Sequence, residues 1–341
     1  MATRIEDVFD KQQHASIFSR VIGQQVFWVF LAAVAAVVYL SLATDTFDTP
    51  RNLFNVGRNF AFVAIIGFGM TAVIASGGID LSVGSVVVMS AMVMSVTMDA
   101  GHSLTLGIVL ALLVSVGIGA FNGVLIAILG MPAFVVTLGM LSLARSLAMV
   151  LSGNKIMSNF GPDQAAMFAL GGGAQEVPFP FLGTLPVPNP VFVMAALGIA
   201  TGLAFRWTRW GQYVFAIGGN ENAARLTGVP VAAVKISVYA FSAFTAGIAG
   251  ILIASWLGSV TMSLGSGMEL TVIAAAVIGG ANLAGGMGTA IGAIVGALLI
   301  EVIRNSLILL GISAFWHGAF VGTFIILAVG FDQLRRLRGS D

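Results

Sequence analysis

Long stretches without a charged side chain constrain this sequence more than any other feature. No Asp, Glu, Lys or Arg occurs in 21–44, 59–79, 81–98, 100–144, 177–205, 236–268, 270–300 or 305–331. A helix that crosses the hydrocarbon core of a bilayer needs about 20 mostly apolar residues. Each of these runs is long enough for one such helix or for two in close succession. The sequence therefore predicts a multi-pass membrane protein.

The composition excludes several other classes of protein. The 341 residues are 58% hydrophobic and 9% charged, whereas a typical soluble domain is about 25% charged. A soluble enzyme or a soluble nucleic-acid-binding protein lacks support, because so few charges cannot cover a globule of this size. The net charge of +1, with no block of like charge, offers no surface for nucleic acid. The chain has no Cys, so thiolate metal sites are excluded and we predict no metal site.

We predict an all-α fold with about ten transmembrane helices in one membrane domain, residues 25–331. This domain lies between an N-terminal tail, 1–24, and a C-terminal tail, 332–341. A re-entrant segment is the alternative for the predicted spans 81–98 and 270–286. The ten predicted spans are 25–43, 59–77, 81–98, 104–128, 133–152, 190–206, 236–257, 270–286, 290–310 and 314–331.

The distribution of Lys and Arg predicts the orientation of the chain in the membrane. With ten spans and the N-terminus inside, ten basic residues lie in inner segments and three in outer segments, as the positive-inside rule requires. Both termini are then cytoplasmic. The longest outer loop is 153–189, where Gly and Pro predict turns and a short surface helix. The longest inner loop is 207–235.

The inner loop contains a short helix with well-defined ends. Asn220 is a favourable N-cap, Glu221 lies at the positive end of the helix, and Arg225 lies near its negative end. Gly228 suits a left-handed residue just after the helix, and Pro230 prevents its continuation. A helix of about two turns is not stable alone. It is therefore expected to dock onto another protein, the alternative being an ordinary loop helix.

A second motif follows the predicted second span. Gly77 and Gly78 permit a sharp turn, and Asp80 is the only charge between residues 59 and 98. Asp80 is placed to accept backbone amides at the start of the next helix. The chain has no nucleotide-binding P-loop, because none of its lysines follows Gly. Any energy that the chain uses must therefore come from a gradient or from a partner.

Three motifs together resemble the permeases of bacterial ribose-type ABC importers, a group whose substrates include ribose, xylose, galactosides and inositol-like polyols. They are Gly-Gly-Ile-Asp-Leu-Ser-Val-Gly at 77–84, Gly-Gly-Asn-x-x-Ala-Ala-x-Leu-x-Gly at 218–228, and Ala-Val-Ile-Gly-Gly at 276–280. The likeness extends from about residue 50 to 332. In the first motif the residues singled out are Gly77, Gly78, Asp80, Ser82 and Gly84.

The resemblance implies the fold of the vitamin B12-type importer permeases and a multi-pass protein of the bacterial inner membrane. It implies a homodimer or a pair of related permeases, a periplasmic sugar-binding protein, and cytoplasmic ABC ATPase subunits. The permease is then not an enzyme and binds no cofactor, since ATP and Mg²⁺ are used by the ATPase. Segment 218–228 becomes the coupling helix, comprising Gly218, Gly219, Asn220, Glu221, Ala223, Ala224, Arg225, Leu226 and Gly228.

Polar residues within the predicted spans are a further set of candidates, because polar groups in lipid usually face a bundle interior or a cavity. Glu301 and Arg304 are three apart and predict an ion pair on one helix. For the uncharged residues, hydrogen bonding between helices is the alternative to lining a solute path. The intramembrane charges are Arg145, Glu269, Glu301 and Arg304, and the candidate path residues are Asn122, Thr137, Asn282 and Asn305.

Three functions compete at this point. The first is an ABC importer permease for a monosaccharide or polyol, or for another small polar solute such as a nucleoside or an autoinducer. The second is a gradient-driven secondary carrier. The third is a structural or enzyme-anchoring membrane protein, which leaves the capped inner helix unexplained.

Overall fold

A computed structural model of the chain describes residues 25–179 and 183–313, together with 316, 318–323, 326 and 330. The tails 1–24 and 332–341 and much of the predicted span 314–331 lie outside the described residues. The described helices are α1 (Gln25–Ala43), α2 (Pro50–Ala75), α3 (Val83–Asp99), α4 (Leu104–Ala127), α5 (Ala133–Leu151), α6 (Gln164–Gly172), α7 (Asn189–Trp207), α8 (Arg209–Gly219), α9 (Glu221–Leu226), α10 (Val231–Leu257), α11 (Met268–Ile278) and α12 (Ala290–Leu309).

Seven of the described helices are long and apolar enough to cross a membrane: α1, α2, α4, α5, α7, α10 and α12. Two shorter apolar helices, α3 and α11, lie at the predicted spans 81–98 and 270–286. Several helices begin earlier than predicted. Helix α2 starts at Pro50 because Thr49 caps it, its hydroxyl accepting the Asn52 amide.

The prediction of a full span at 270–286 is wrong in its extent. Helix α11 has 11 residues, about 16 Å at 1.5 Å per residue, which is half the thickness of a hydrocarbon core of about 30 Å. It ends because Gly279 packs directly on the backbone of Gly292 in α12, and Gly280 adopts φ +95°. The segment 279–289 is a loop between two helices.

The outer loop differs from the all-α prediction. After the predicted short surface helix, here α6, two strands form an antiparallel hairpin. Strand β1 (Ala174–Phe179) pairs with β2 (Gly183–Pro188), with Ala174 opposite Pro188 and Phe179 opposite Gly183. The prolines of this segment indicated turns, and Pro in a strand is tolerated where a strand has an unpaired edge. A two-stranded hairpin has such edges on both strands.

Helices α2, α3 and α10 form the centre of the molecule. Nearly every residue of α2 from Ala61 to Ala75 is buried, and α10 contacts α2, α3 and α4. Gly119 and Gly123 of α4 lie against the backbone of α10 at Tyr239 and Ile236, where a Cβ would collide. Small residues permit such close approach between membrane helices. Helices α1, α4, α5 and α7 expose many large apolar side chains outward, as helices facing lipid do.

Candidate functional site

Three glycine-rich segments meet at one end of the bundle. The amide of Gly286 donates to the carbonyl of Ala75, the last residue of α2, over 2.9 Å. Gly218, near the end of α8, lies so close to both groups that a Cβ would overlap Ala75 O and Gly286 N. We call this contact of residues 75, 218 and 286 the glycine junction. It joins the end of α2, which leads into the motif at 77–84, to the end of α8 and to the loop after α11.

Asp80 is completely buried just beyond this junction, and both oxygens of its carboxylate accept hydrogen bonds. Oδ1 accepts the amide of Ser82 over 3.0 Å and the Ser82 hydroxyl over 2.6 Å, while Oδ2 accepts the hydroxyl of Ser242 on α10 over 2.8 Å. Helix α3 starts at Val83 with Ser82 as its N-cap residue, two residues later than predicted. Asp80 therefore binds the helix start and also ties it to α10.

The glycines of the same motif permit close contacts. Gly77 has φ +80°, which favours glycine. A Cβ on Gly78 would collide with the hydroxyl of Tyr239 on α10, and a Cβ on Gly84 would meet Gly265 O and the carboxylate of Glu269. The motif is therefore packed against α10 on one side and against the start of α11 on the other. Glu269, one of the predicted intramembrane charges, lies at this second contact.

Two of the predicted path residues support this loop. The amide of Asn122 on α4 donates to the Ser82 hydroxyl over 3.1 Å. The hydroxyl of Thr137 on α5 donates to Ala133 O over 2.9 Å and lies 3.4 Å from Ile79 O. Both side chains are fully buried. In this conformation Asn122 joins α4 to the N-cap of α3, the interhelical bonding that the sequence allowed as the alternative to lining a path, whereas Thr137 bonds mainly within its own helix.

The other predicted polar residues lie elsewhere, so the structure does not bring the four path candidates together. Asn305 exchanges two side-chain hydrogen bonds with Asn52, of 2.8 and 3.2 Å, joining α12 to α2. Asn282 accepts the amide of Ala284 within the loop after α11. Arg145 donates to Met262 O and to the Ser266 hydroxyl, each over 2.8 Å, joining α5 to the segment before α11.

The predicted ion pair on α12 is present. Arg304 donates through Nε and through one terminal nitrogen to the two carboxylate oxygens of Glu301, over 2.7 and 2.6 Å. Arg58 on α2 is a third charge near this pair; like Glu301 it is buried, and its guanidinium stacks 3.9 Å from the ring centre of Trp256. The hydropathy pattern does not indicate this burial, because Arg58 directly precedes the charge-free run 59–79 and only the folded bundle brings Trp256 over it.

Within the predicted coupling segment 218–228, only α9 (Glu221–Leu226) forms a separate helix, so the helix is shorter than that segment. Asn220 caps it, with the side-chain oxygen accepting the Ala223 amide over 3.0 Å. Gly228 adopts φ +85° beyond its end, as predicted. Gly218 and Gly219 instead end α8, an amphipathic helix in the first part of the predicted inner loop 207–235. At the end of α9, the side chain of Leu226 is 89% exposed.

Glu221 connects α9 to the membrane helices. Its carboxylate accepts Lys235 of α10 over 2.6 Å and Arg225 of its own helix over 3.2 Å. The Lys235 side chain is only 18% exposed, against 67% for Arg225. The hydrogen bond from Lys235 is the main reason that the pKa of Glu221 lies below its ordinary value. Glu221, Lys235 and Tyr239 line a polar cavity of about 310 Å³ that reaches Gly77 and Gly78.

Comparisons with known proteins agree with this architecture and with the motifs. The family model described as the permease component of branched-chain amino acid transport systems matches residues 52–329. The ribose import permease RbsC of Escherichia coli K12 is 34% identical over 306 residues, which cover 90% of this chain and 93% of that protein. The L-arabinose ABC transporter permease AraH of Azospirillum brasilense is 36% identical over 309 residues, covering 90% and 86%.

A third relative, the autoinducer 2 import permease LsrC of Yersinia enterocolitica, is 33% identical over 308 residues, covering 88% of this chain and 81% of that protein. No solved structure matches the chain significantly. The apolar helices and these relatives define a multi-pass membrane permease. The chain belongs to the family of permease components that the model describes, and the resemblance to ribose-type permeases drawn from its motifs is confirmed.

Proposed function

We propose that this chain is the membrane-spanning permease subunit of an ABC importer that takes up a monosaccharide or polyol across the bacterial cytoplasmic membrane. A periplasmic binding protein delivers the solute, and separate cytoplasmic ATPase subunits hydrolyse ATP with Mg²⁺. Two copies of the permease, or two related ones, enclose the path. The names of the relatives, which are import permeases for ribose and autoinducer 2 and an ABC transporter permease for L-arabinose, support this proposal.

The observation that carries the proposal is the construction of α9. A six-residue helix is not stable by itself, yet this one has a cap at its start, a left-handed glycine after its end, and an ion pair to α10. Its exposed surface presents Leu226. A short helix that is fixed to the membrane domain and keeps an apolar side chain exposed suits docking into a groove of an ATPase subunit.

The proposed topology places α9 on the cytoplasmic side together with both termini. It follows the positive-inside distribution of Lys and Arg, which puts Arg206, Arg209, Arg225 and Lys235 in one inner segment. It also follows the ten-helix plan of the vitamin B12-type permeases, in which the described half-helix α11 takes the place of one of the ten predicted spans.

The solute class has alternatives within the same machine. The relative that imports autoinducer 2 favours a modified sugar-like signal as the second candidate, and a nucleoside is a third. A gradient-driven secondary carrier is a different mechanism for the same bundle, and it would need neither an ATPase nor a binding protein.

Reconstitution into proteoliposomes tests the proposal. The permease is combined with the ATPase and the binding protein encoded beside it, and uptake of radiolabelled ribose, arabinose, inositol and autoinducer 2 is measured. Uptake of one of these solutes that requires ATP and both partners is the expected result. Uptake by the permease alone, driven by an ion gradient, would contradict it and establish a secondary carrier.

A pair of variants links the assay to α9. Replacing the exposed Leu226 by Asp is expected to abolish binding of the ATPase and ATP-driven uptake, because it puts a charge in an apolar contact. The matched control is Glu176→Ser, a surface change on the hairpin, on the predicted outer side of the protein. If Leu226→Asp binds the ATPase as the parent does, α9 is not the docking helix.

A further inference from the structure

We propose that a cavity between α2, α10, α11 and α12 is a binding station on the solute path, and that it accepts an uncharged, hydroxylated molecule. This inference rests on the proposed import function and goes beyond it by assigning the residues that meet the solute. The cavity has a volume of about 590 Å³, within the range of about 300–1,000 Å³ that small-molecule sites occupy. Its wall includes Asn59, Phe62, Trp256, Thr271, Glu301 and Arg304.

One side of the cavity is polar, although the helices that form it are apolar membrane helices. Asn59 comes from α2, Thr271 from α11, and Glu301 and Arg304 from α12. Ionisable side chains in membrane helices are rare, and they mark pathways or water-filled cavities. The Arg304 side chain is 36% exposed, whereas Glu301 is buried beneath it. The guanidinium therefore faces the open space while its partner holds it in place.

The charges of this wall decide the class of solute. Glu301 and Arg304 bind each other through two hydrogen bonds, so the two charges that line the cavity neutralise each other. The third charge nearby, Arg58, is buried against Trp256 and is not part of the lining. An amino acid would need a separate cation for its carboxylate and a separate anion for its ammonium group, and this bidentate pair offers neither. Hydroxyl groups suit the wall better. A hydroxyl can accept a hydrogen bond from the Arg304 guanidinium, and it can exchange hydrogen bonds in either direction with the Asn59 amide and the Thr271 hydroxyl.

The apolar side of the cavity includes a fixed aromatic ring. Trp256 lies in the last turn of α10, and the guanidinium of Arg58 stacks on it at 3.9 Å from the ring centre. Phe62 lies beside it, with ring centres 6.0 Å apart. These neighbours hold the indole in one orientation. The C–H groups of a sugar ring carry partial positive charge and pack well against the electron-rich face of an aromatic ring.

The absence of Cys makes a direct test possible, since a single introduced cysteine is the only thiol in the chain. Thr271→Cys places it in the cavity wall. Leu113→Cys places it on α4, where Leu113 is 63% exposed on the predicted lipid-facing surface. Each variant is studied in the complete importer complex in proteoliposomes, and its rate of modification by a hydrophilic methanethiosulfonate reagent is measured. The cysteine at 271 is expected to react much faster than the one at 113.

Protection identifies the solute class. Because only the unoccupied fraction reacts, modification of the cysteine at 271 is expected to slow about tenfold when the sugar is at about ten times its Kd. The probes are ribose, arabinose and inositol, with leucine as the amino-acid comparison. Trp256→Leu in the same background should remove most of the protection, whereas Trp207→Leu, on an indole that is 71% exposed at the end of α7, should leave it unchanged.

Several results would overturn the inference. Equal, slow modification at 271 and 113 would mean that the cavity is filled by lipid, and protection by leucine rather than by sugars would mean that the class is wrong. Rapid modification with no protection by any probe would mean an aqueous space that is not a binding station. ATP-dependent uptake by the cysteine-free parent is measured in the same vesicles. Its loss would refute the proposed import function, whereas intact uptake with a failed protection test would refute only the station.

Discussion

The ion pair between Glu221 and Lys235 is predicted to hold α9, the proposed coupling helix, in place. The perturbation is Lys235→Met, which keeps the length of the side chain and removes its charge. Lys235 donates to Glu221 over 2.6 Å and is mostly covered, whereas Arg225 lies at 3.2 Å and is mostly exposed. Exposed pairs four residues apart on a helix contribute about 0.3–0.5 kcal/mol, and exposed ion pairs in general up to about 1 kcal/mol.

Glu221 is itself 38% exposed, so solvent screens both pairs and the estimate for Lys235 stays at about 1 kcal/mol. Loss of that free energy raises the population of locally opened α9 about fivefold. Local opening governs the exchange of backbone amide hydrogens. We therefore expect the amides of 221–228 in the isolated permease to exchange about fivefold faster in Lys235→Met, with a change of about twofold or less in the matched control Arg225→Met.

A charge reversal separates the ion pair from other roles of the lysine. The double variant Glu221→Lys with Lys235→Glu restores opposite charges across the same gap, so its exchange should return toward that of the parent, while each single reversal is faster. Exchange in Lys235→Met equal to that of the parent would refute the reasoning. An effect of Arg225→Met larger than that of Lys235→Met would refute it as well.

Further predictions concern the glycine junction, the buried aspartate and pH. Gly218→Ala should destabilise the detergent-solubilised permease by about 1–3 kcal/mol in thermal unfolding, because its Cβ would overlap Ala75 and Gly286. The control Gly219→Ala should leave the stability unchanged, because its Cβ would meet no described atom within 4 Å. Asp80→Ala should cost at least about 2 kcal/mol, since it leaves two buried serine hydroxyls without their acceptor. Because the pKa of Glu221 is lowered in the folded protein, its ion pair is fully present above the unfolded value of about 4.3 and weakens as pH falls through the folded value. Exchange of 221–228, corrected for intrinsic rates, should therefore show no acceleration between about pH 8 and 6.

Local signals explain which parts of the site the sequence could predict. The cap of α9 at Asn220 and the left-handed Gly228 depend on residues a few positions apart, and both are present as expected. Asp80 was recognised as a helix-start residue for the same reason. The link from Ser242 to Asp80 joins residues 162 positions apart, so nothing in the local pattern indicated it.

The same distinction applies to the membrane helices. Hydropathy located α1, α4 and α5 within one residue at each end, because a lipid-facing helix must be apolar along its length. It overestimated α11, since the charge-free run 270–300 continues without interruption from the half-helix into the loop that follows it. The hairpin 174–188 was missed because its strands contain prolines, which locally favour turns.

Helix α10 connects α9, the motif at 77–84 and the proposed solute cavity. Lys235, Tyr239 and Ser242 are spaced by four and three residues, so they share one face of the helix. That face binds Glu221 of α9 at one end, lies against Gly78 in the middle, and binds Asp80 further along. Asp80 in turn fixes the start of α3, and α10 continues to Trp256 at the cavity proposed as the solute station. A displacement of α9 by a docked ATPase would therefore act on a single continuous helix that contacts both the family motif and the cavity. This arrangement gives a physical reason why the proposed coupling helix α9 is anchored by an ion pair to α10 and is not held only by its own loop.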